Sequence, residues 1–70
     1  MTVAREVGHN IAEARHRAGL TQMQFTERVG MIQQEISRLE RGCHTPRLET
    51  LVKVARALDV PLAALLIGVE

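Results

Sequence analysis

The chain has no tryptophan or tyrosine, a single phenylalanine, a single cysteine and two prolines among its 70 residues. With Cys43 alone, no internal disulfide can form, which fits a reducing, cytoplasmic setting. Nothing at the start, Met-Thr-Val-Ala-Arg-Glu, resembles the apolar stretch of a secretion signal. No long hydrophobic run exists either: the longest, Val60 to Val69, is broken by Pro61 and Gly68 and is too short to cross a bilayer. No membrane partner is therefore expected. Charge of one sign is also missing, because nine Lys and Arg stand against eight Asp and Glu for a net of +1. A polyanionic partner then depends on whether the arginines gather on one face. Repeats, low-complexity tracts and linkers are absent too. What remains is rich in Ala, Leu, Glu, Arg and Gln, good helix formers. Seventy residues make one small domain, residues 1–70, of modest stability, the kind that often adds a partner subunit.

The apolar positions resolve into five helical segments. Val3, Val7, Ile11, Ala14 and Ala18 recur at helical spacing and predict a first helix over about 3–18, stopped by Gly19. Thr21 with Gln24 forms a capping box, and Leu20 with Phe25 a hydrophobic staple, opening a second helix over 22–29 that Gly30 ends. A third covers about 33–41, with Ile36 and Leu39 inward and Gly42 beyond it. After the loop at Cys43-His44-Thr45-Pro46, Leu51, Val52, Val54, Ala55 and Leu58 mark a fourth helix over about 48–58. Pro61 opens a short fifth, to about Leu66.

The second and third helices are joined by only Gly30-Met31-Ile32. Two short helices, a tight Gly-led turn and a polar outer face on the second helix make a helix-turn-helix over about 21–41. Gln33, Gln34, Ser37 and Arg38 share that outer face at i, i+4 spacing. Gln can bond an adenine edge through two atoms and Arg a guanine edge, so this ridge suits a B-DNA major groove. The same residue types also make an ordinary solvated helix face.

The stretch Leu20-Thr21-Gln22, Gly30, Ile36-Ser37-Arg38-Leu39-Glu40-Arg41-Gly42, Pro46-Arg47-Leu48-Glu49-Thr50-Leu51 and Ala55-Arg56-Ala57-Leu58 resembles the lambda-repressor-like, Cro/C1-type helix-turn-helix proteins, also called the xenobiotic response element family. The resemblance runs from about Ile11 to Leu66. It implies an all-α, compact five-helix DNA-binding domain acting in transcriptional control, often repression, on a double-stranded operator. It implies that Gln22 contacts a phosphate and braces Gln33, and that Gln33 and Gln34 read bases as a tandem pair. Arg15 and Glu40 match a structural ion pair that ties the first helix to the third. Three positions depart from the family pattern. Ile32 stands where a Ser or Thr usually caps the recognition helix. Thr26 replaces a usual Ala. Cys43-His44 follows Glu-Arg-Gly where Lys or Arg is favoured, leaving Arg41, Thr45 or Arg47 to meet the DNA backbone.

Other chemistry is weakly supported. Cys43 beside His44 has no orienting carboxylate and is not a catalytic pair; a free thiol near the expected reading face is at most a redox sensor. His9, Glu13 and His16 share a stripe, but seven residues put the two histidines roughly 10.5 Å apart along the axis, too far for one metal at about 2 Å from each nitrogen. No enzyme, metal, cofactor or small-molecule ligand is expected. Leu62, Leu65, Leu66, Ile67 and Val69 offer more apolar surface than one short helix needs, which predicts a homodimer interface. Two alternatives stay open: an antitoxin or restriction–modification controller of the same fold, and a helical protein-interaction module that leaves DNA alone.

Overall fold

The computed structural model describes residues 2–70; Met1, the first residue of the expected domain, lies outside them. The elements are α1 (Val3–Arg17), α2 (Gln22–Val29), α3 (Gln33–Arg41), α4 (Leu48–Leu58) and a 3₁₀ helix (Leu62–Leu66). No strand occurs among the described residues.

Local chemistry accounts for most of these boundaries. Thr2 opens α1, its hydroxyl accepting from the Arg5 N–H at 3.2 Å. Ala18 closes it, one residue earlier than the apolar spacing suggests. Gly19 takes φ 73°, so the Leu20 N–H reaches back to the Arg15 carbonyl at 3.2 Å and the last carbonyls are satisfied. The capping box of α2 is complete: the Thr21 hydroxyl accepts from the Gln24 N–H at 3.1 Å, and Gln24 Oε1 accepts from the Thr21 N–H at 2.9 Å. Ile32 opens α3 without any side-chain cap. Asp59 closes α4 at φ 56°, the only non-glycine in the left-handed region among the described residues.

One core unites the elements. Val7 and Ile11 come from α1, Phe25 and Val29 from α2, Ile36 and Leu39 from α3, and Leu51, Val54, Ala55 and Leu58 from α4. The ends of the predicted α1 stripe fall outside it. Val3 is 43% exposed and Ala18 is also exposed, because the helix overruns the neighbours it packs on. α1 lies against α3 and the 3₁₀ helix, while α2 packs on both α3 and α4. Where α1 meets the end of α3 the backbones nearly touch. A Cβ on Gly8 would collide with the Leu39 and Glu40 carbonyls, and one on Gly42 would lie 2.6 Å from the Arg5 Cα.

The fifth element departs from expectation. It is not an α-helix from Pro61 but a single 3₁₀ stretch, opened when the Ala64 N–H donates to the Pro61 carbonyl at 2.9 Å. Five residues are too few for an α-helix to repay its nucleation. The free carbonyls are instead taken from outside: Asn10 Nδ2 donates to Leu65 O at 3.0 Å and Ile67 O at 2.8 Å. No described helix is long and apolar enough to cross a membrane.

Candidate nucleic-acid interface

Helix α3 separates its two faces sharply. Ile36 and Leu39 are 0% and 2% exposed, and they fix the helix against α1 and α2. On the far side Gln33, Gln34 and Arg38 are exposed and Ser37 is half-buried. The structure therefore brings these four predicted residues together on one outward ridge. Ile32 stands 60% exposed at its leading end. With no side chain capping them, the first N–H groups of α3 stay free for water or an anion.

The flanking residues border that ridge. Arg41 is exposed and donates through Nε to the Ser37 carbonyl at 3.4 Å. Pro46 is buried and pins the loop after α3, leaving Thr45 and Arg47 exposed on either side of it. A cleft of about 460 Å³ lies between α3 and α4, lined by Arg38, His44, Thr45, Arg47 and Thr50 among others. Glu35 is the one carboxylate on its wall, so the cleft is rich in donors and suits a phosphate edge. Sequence reasoning noted His44 as a departure from the family pattern and as a neighbour of Cys43 without giving it a role, and it gave Thr50 none; the fold brings both to that wall.

Behind the ridge sits the one two-pronged ion pair among the described residues. Arg15 donates from Nε to Glu40 Oε2 at 2.7 Å and from Nη2 to Oε1 at 3.0 Å, a two-pronged pair with side chains 12% and 8% exposed. Arg15 Nη1 also donates to the Leu20 carbonyl at 3.0 Å, so one guanidinium joins α1, α3 and the entry to α2. Gln22, half-buried, donates to Glu40 Oε1 at 3.3 Å and accepts from Gln33 Nε2 at 3.5 Å. The Thr26 hydroxyl finds its bond within α2, donating to the Gln22 carbonyl at 2.8 Å.

The proposed dimer surface needs a correction. Leu65 is 0% exposed and belongs to the core of its own chain, so it is not available to a partner. Leu62 and Val69 also pack partly against that core. The cause is Asn10: by holding the Leu65 and Ile67 carbonyls it folds the tail onto α1, which spacing within the tail does not reveal. Leu66 and Ile67 alone remain well exposed, at 40% and 66%. Elsewhere, Cys43 is exposed. Two members of the His9–Glu13–His16 stripe meet arginines: Arg17 lies 3.9 Å from Glu13, and Arg15 Nη2 lies 3.3 Å from His16 Nε2.

Residues 11–65 match the helix-turn-helix (HTH_3) family profile. Over 60 residues the chain is 43% identical to the HTH-type transcriptional regulator y4dJ of Sinorhizobium fredii, covering 86% of this chain and 78% of that one. Over 48 residues it is 46% identical to an HTH-type transcriptional regulator of Methanothermobacter thermautotrophicus, covering 69% and 70%. The fold superposes on the clp gene regulator ClgR of Corynebacterium glutamicum with a TM-score of 0.90 at 27% identity, over 96% of this chain and 87% of that one. It also superposes on the restriction-modification controller protein C.AhdI of Aeromonas hydrophila with a TM-score of 0.83 at 27% identity, over 89% and 94%.

Proposed function

The chain belongs to the helix-turn-helix (HTH_3) family of DNA-binding transcriptional regulators, and on that premise we propose that it is a cytoplasmic repressor that binds its operator as a homodimer. It is a non-enzymatic binding protein, and residues 1–70 act as one DNA-reading domain. The observation that carries this reading is the outward ridge of exposed Gln33, Gln34 and Arg38 with half-buried Ser37, above a buried Ile36 and Leu39. Such a ridge enters a major groove, where Gln suits adenine and Arg suits guanine. Gln22, Arg41, Thr45 and Arg47 border it and hold the sugar–phosphate backbone, which positions the ridge without reading sequence. A repressor needs no more than this: occupying a site that overlaps a promoter excludes polymerase. Leu66 and Ile67, with the half-buried Leu62 and Val69 beside them, form the patch through which two copies meet. A two-fold pair places the two α3 helices about 34 Å apart, one turn of DNA.

Selection of bound sites from random duplex DNA tests the reading. Wild-type protein should return a pseudo-palindromic site, and Gln34→Ala should blur one base pair in each half while circular dichroism stays unchanged. Unaltered preferences in that variant would remove Gln34 from the reading set. A second reading is favoured by the likeness to C.AhdI, of which the chain covers 94%: the protein is a controller that tunes a restriction–modification operon. A promoter upstream of such genes among the bound genomic fragments would select that reading.

A further inference from the structure

Glu40 is the innermost member of a line of polar side chains that ends on the reading ridge. Arg15 donates to both oxygens of its carboxylate, to Oε2 at 2.7 Å and to Oε1 at 3.0 Å. Gln22 Nε2 then donates to Glu40 Oε1 at 3.3 Å, and Gln33 Nε2 donates to Gln22 Oε1 at 3.5 Å. A carboxamide has nearly the same shape either way round, so Gln22 and Gln33 could each be turned end for end without changing the packing. An ionised carboxylate, however, can only accept. Gln22 must therefore turn its NH₂ toward Glu40, which leaves its oxygen facing α3. That oxygen also only accepts, so Gln33 commits one N–H to it. Gln33 is left with its own oxygen and one N–H, one acceptor and one donor, free to face a base.

We infer that Glu40 is a specificity-positioning residue: through Gln22 it fixes which way round Gln33 presents its carboxamide, and so which base Gln33 accepts. The inference rests on the reading of α3 as the base-reading helix. One acceptor and one donor match the N6–H and N7 of adenine. The reversed carboxamide, with its oxygen toward Gln22, presents two donors and matches the O6 and N7 of guanine. Glu40 touches no base. It sits 8% exposed behind the ridge and acts by being an acceptor and nothing else. Arg15 holds it in place through both carboxylate oxygens.

The test compares site selection and competition binding for the full chain and two variants, with Gln33→Ala used to find the base pair that Gln33 reads. In Glu40→Gln the new amide keeps its oxygen for Arg15 Nε and turns its NH₂ to Gln22, giving up the Nη2 bond to Oε1 and reversing the line. The adenine-over-guanine preference at that pair should fall by about tenfold, with the Gln34 pair unchanged. Should Glu40→Gln fail to fold, the double change Arg15→Met with Glu40→Leu removes the anchor without stranding a buried charge. It should relax the same pair and no other. Uniform weakening with an unchanged adenine-to-guanine ratio in the folded variants overturns the inference and leaves the two residues a structural brace. A wild-type preference for guanine at the Gln33 pair overturns it as well. Failure of the wild-type chain to select any site instead overturns the DNA-reading assignment on which the inference stands.

Discussion

Gly8 occupies the middle of α1, where glycine ordinarily costs about 1 kcal/mol against alanine. That propensity argues for Gly8→Ala as a stabilising change. The packing argues the other way, because the added methyl meets two backbone carbonyls, Leu39 and Glu40, which cannot swing aside as a side chain would. Overpacking of this kind costs about 1–3 kcal/mol or more. The packing term should win, and Gly8→Ala should lower the melting temperature, by roughly 4–8 °C per kcal/mol in a domain of this size. An unchanged or higher melting point would mean that α1 can slide off the end of α3. Arg15 and Glu40 make the neighbouring connection between the same two helices, and their pairing was readable from family resemblance alone. Gly8 was not, since an isolated glycine in a helical pattern signals a close approach without naming what approaches.

The helix-turn-helix was largely readable in advance because its punctuation is local. Thr21 and Gln24 open α2, Gly30 ends it, Gly42 ends α3, and each acts within four residues of chain. The short C-terminal element was harder for the opposite reason. Leu62 to Leu66 are apolar nearly throughout, so no periodicity separates a buried Leu65 from an exposed Leu66 or an α-helix from a 3₁₀ turn. What decides both is Asn10, more than fifty residues away in sequence. Line-up of the outward residues of α3 was legible for the same local reason as α3 itself, whereas the cleft against α4 was not, because it depends on how the loop around Pro46 is pinned. The one weak joint in the local signals is the start of α3. Ile32 supplies no cap and is 60% exposed, so replacing it loses little burial. Ile32→Ser should gain about 1 kcal/mol from a new bond to a first-turn N–H. Thermal melts check this; a loss of stability would reveal that the Ile32 side chain is packed in solution.

As a whole the molecule is nearly neutral, but three of its eight arginines lie on or just after α3. Arg38, Arg41 and Arg47 stand in or beside the reading face. Binding should therefore weaken steeply with salt despite a net charge of only +1. For a dimer with 6–10 phosphate contacts, affinity should fall by about 10³–10⁵-fold between roughly 50 and 200 mM salt. A nearly flat titration would speak against backbone contact by this face. Assembly can be separated from folding because the exposed and buried tail residues differ. Ile67→Glu should give a folded monomer in sedimentation at micromolar concentration, while Leu65→Glu, placed in a fully buried site, should unfold the chain. A dimer of full strength in Ile67→Glu would move the interface elsewhere. The division of α3 into a buried and an outward face bears also on how such a protein changes over generations. Gln34 and Arg38 are exposed and make no side-chain bond to the core, so on the proposed reading single substitutions there should re-letter the target while the fold stays still. Gln33 lacks that liberty. It leans on Gln22, and Gln22 on Glu40, so a new letter at Gln33 should spread through a lineage only with a matching change at Gln22 or Glu40, and drift in the target site should run faster at the Gln34 base pair than at the pair beside it.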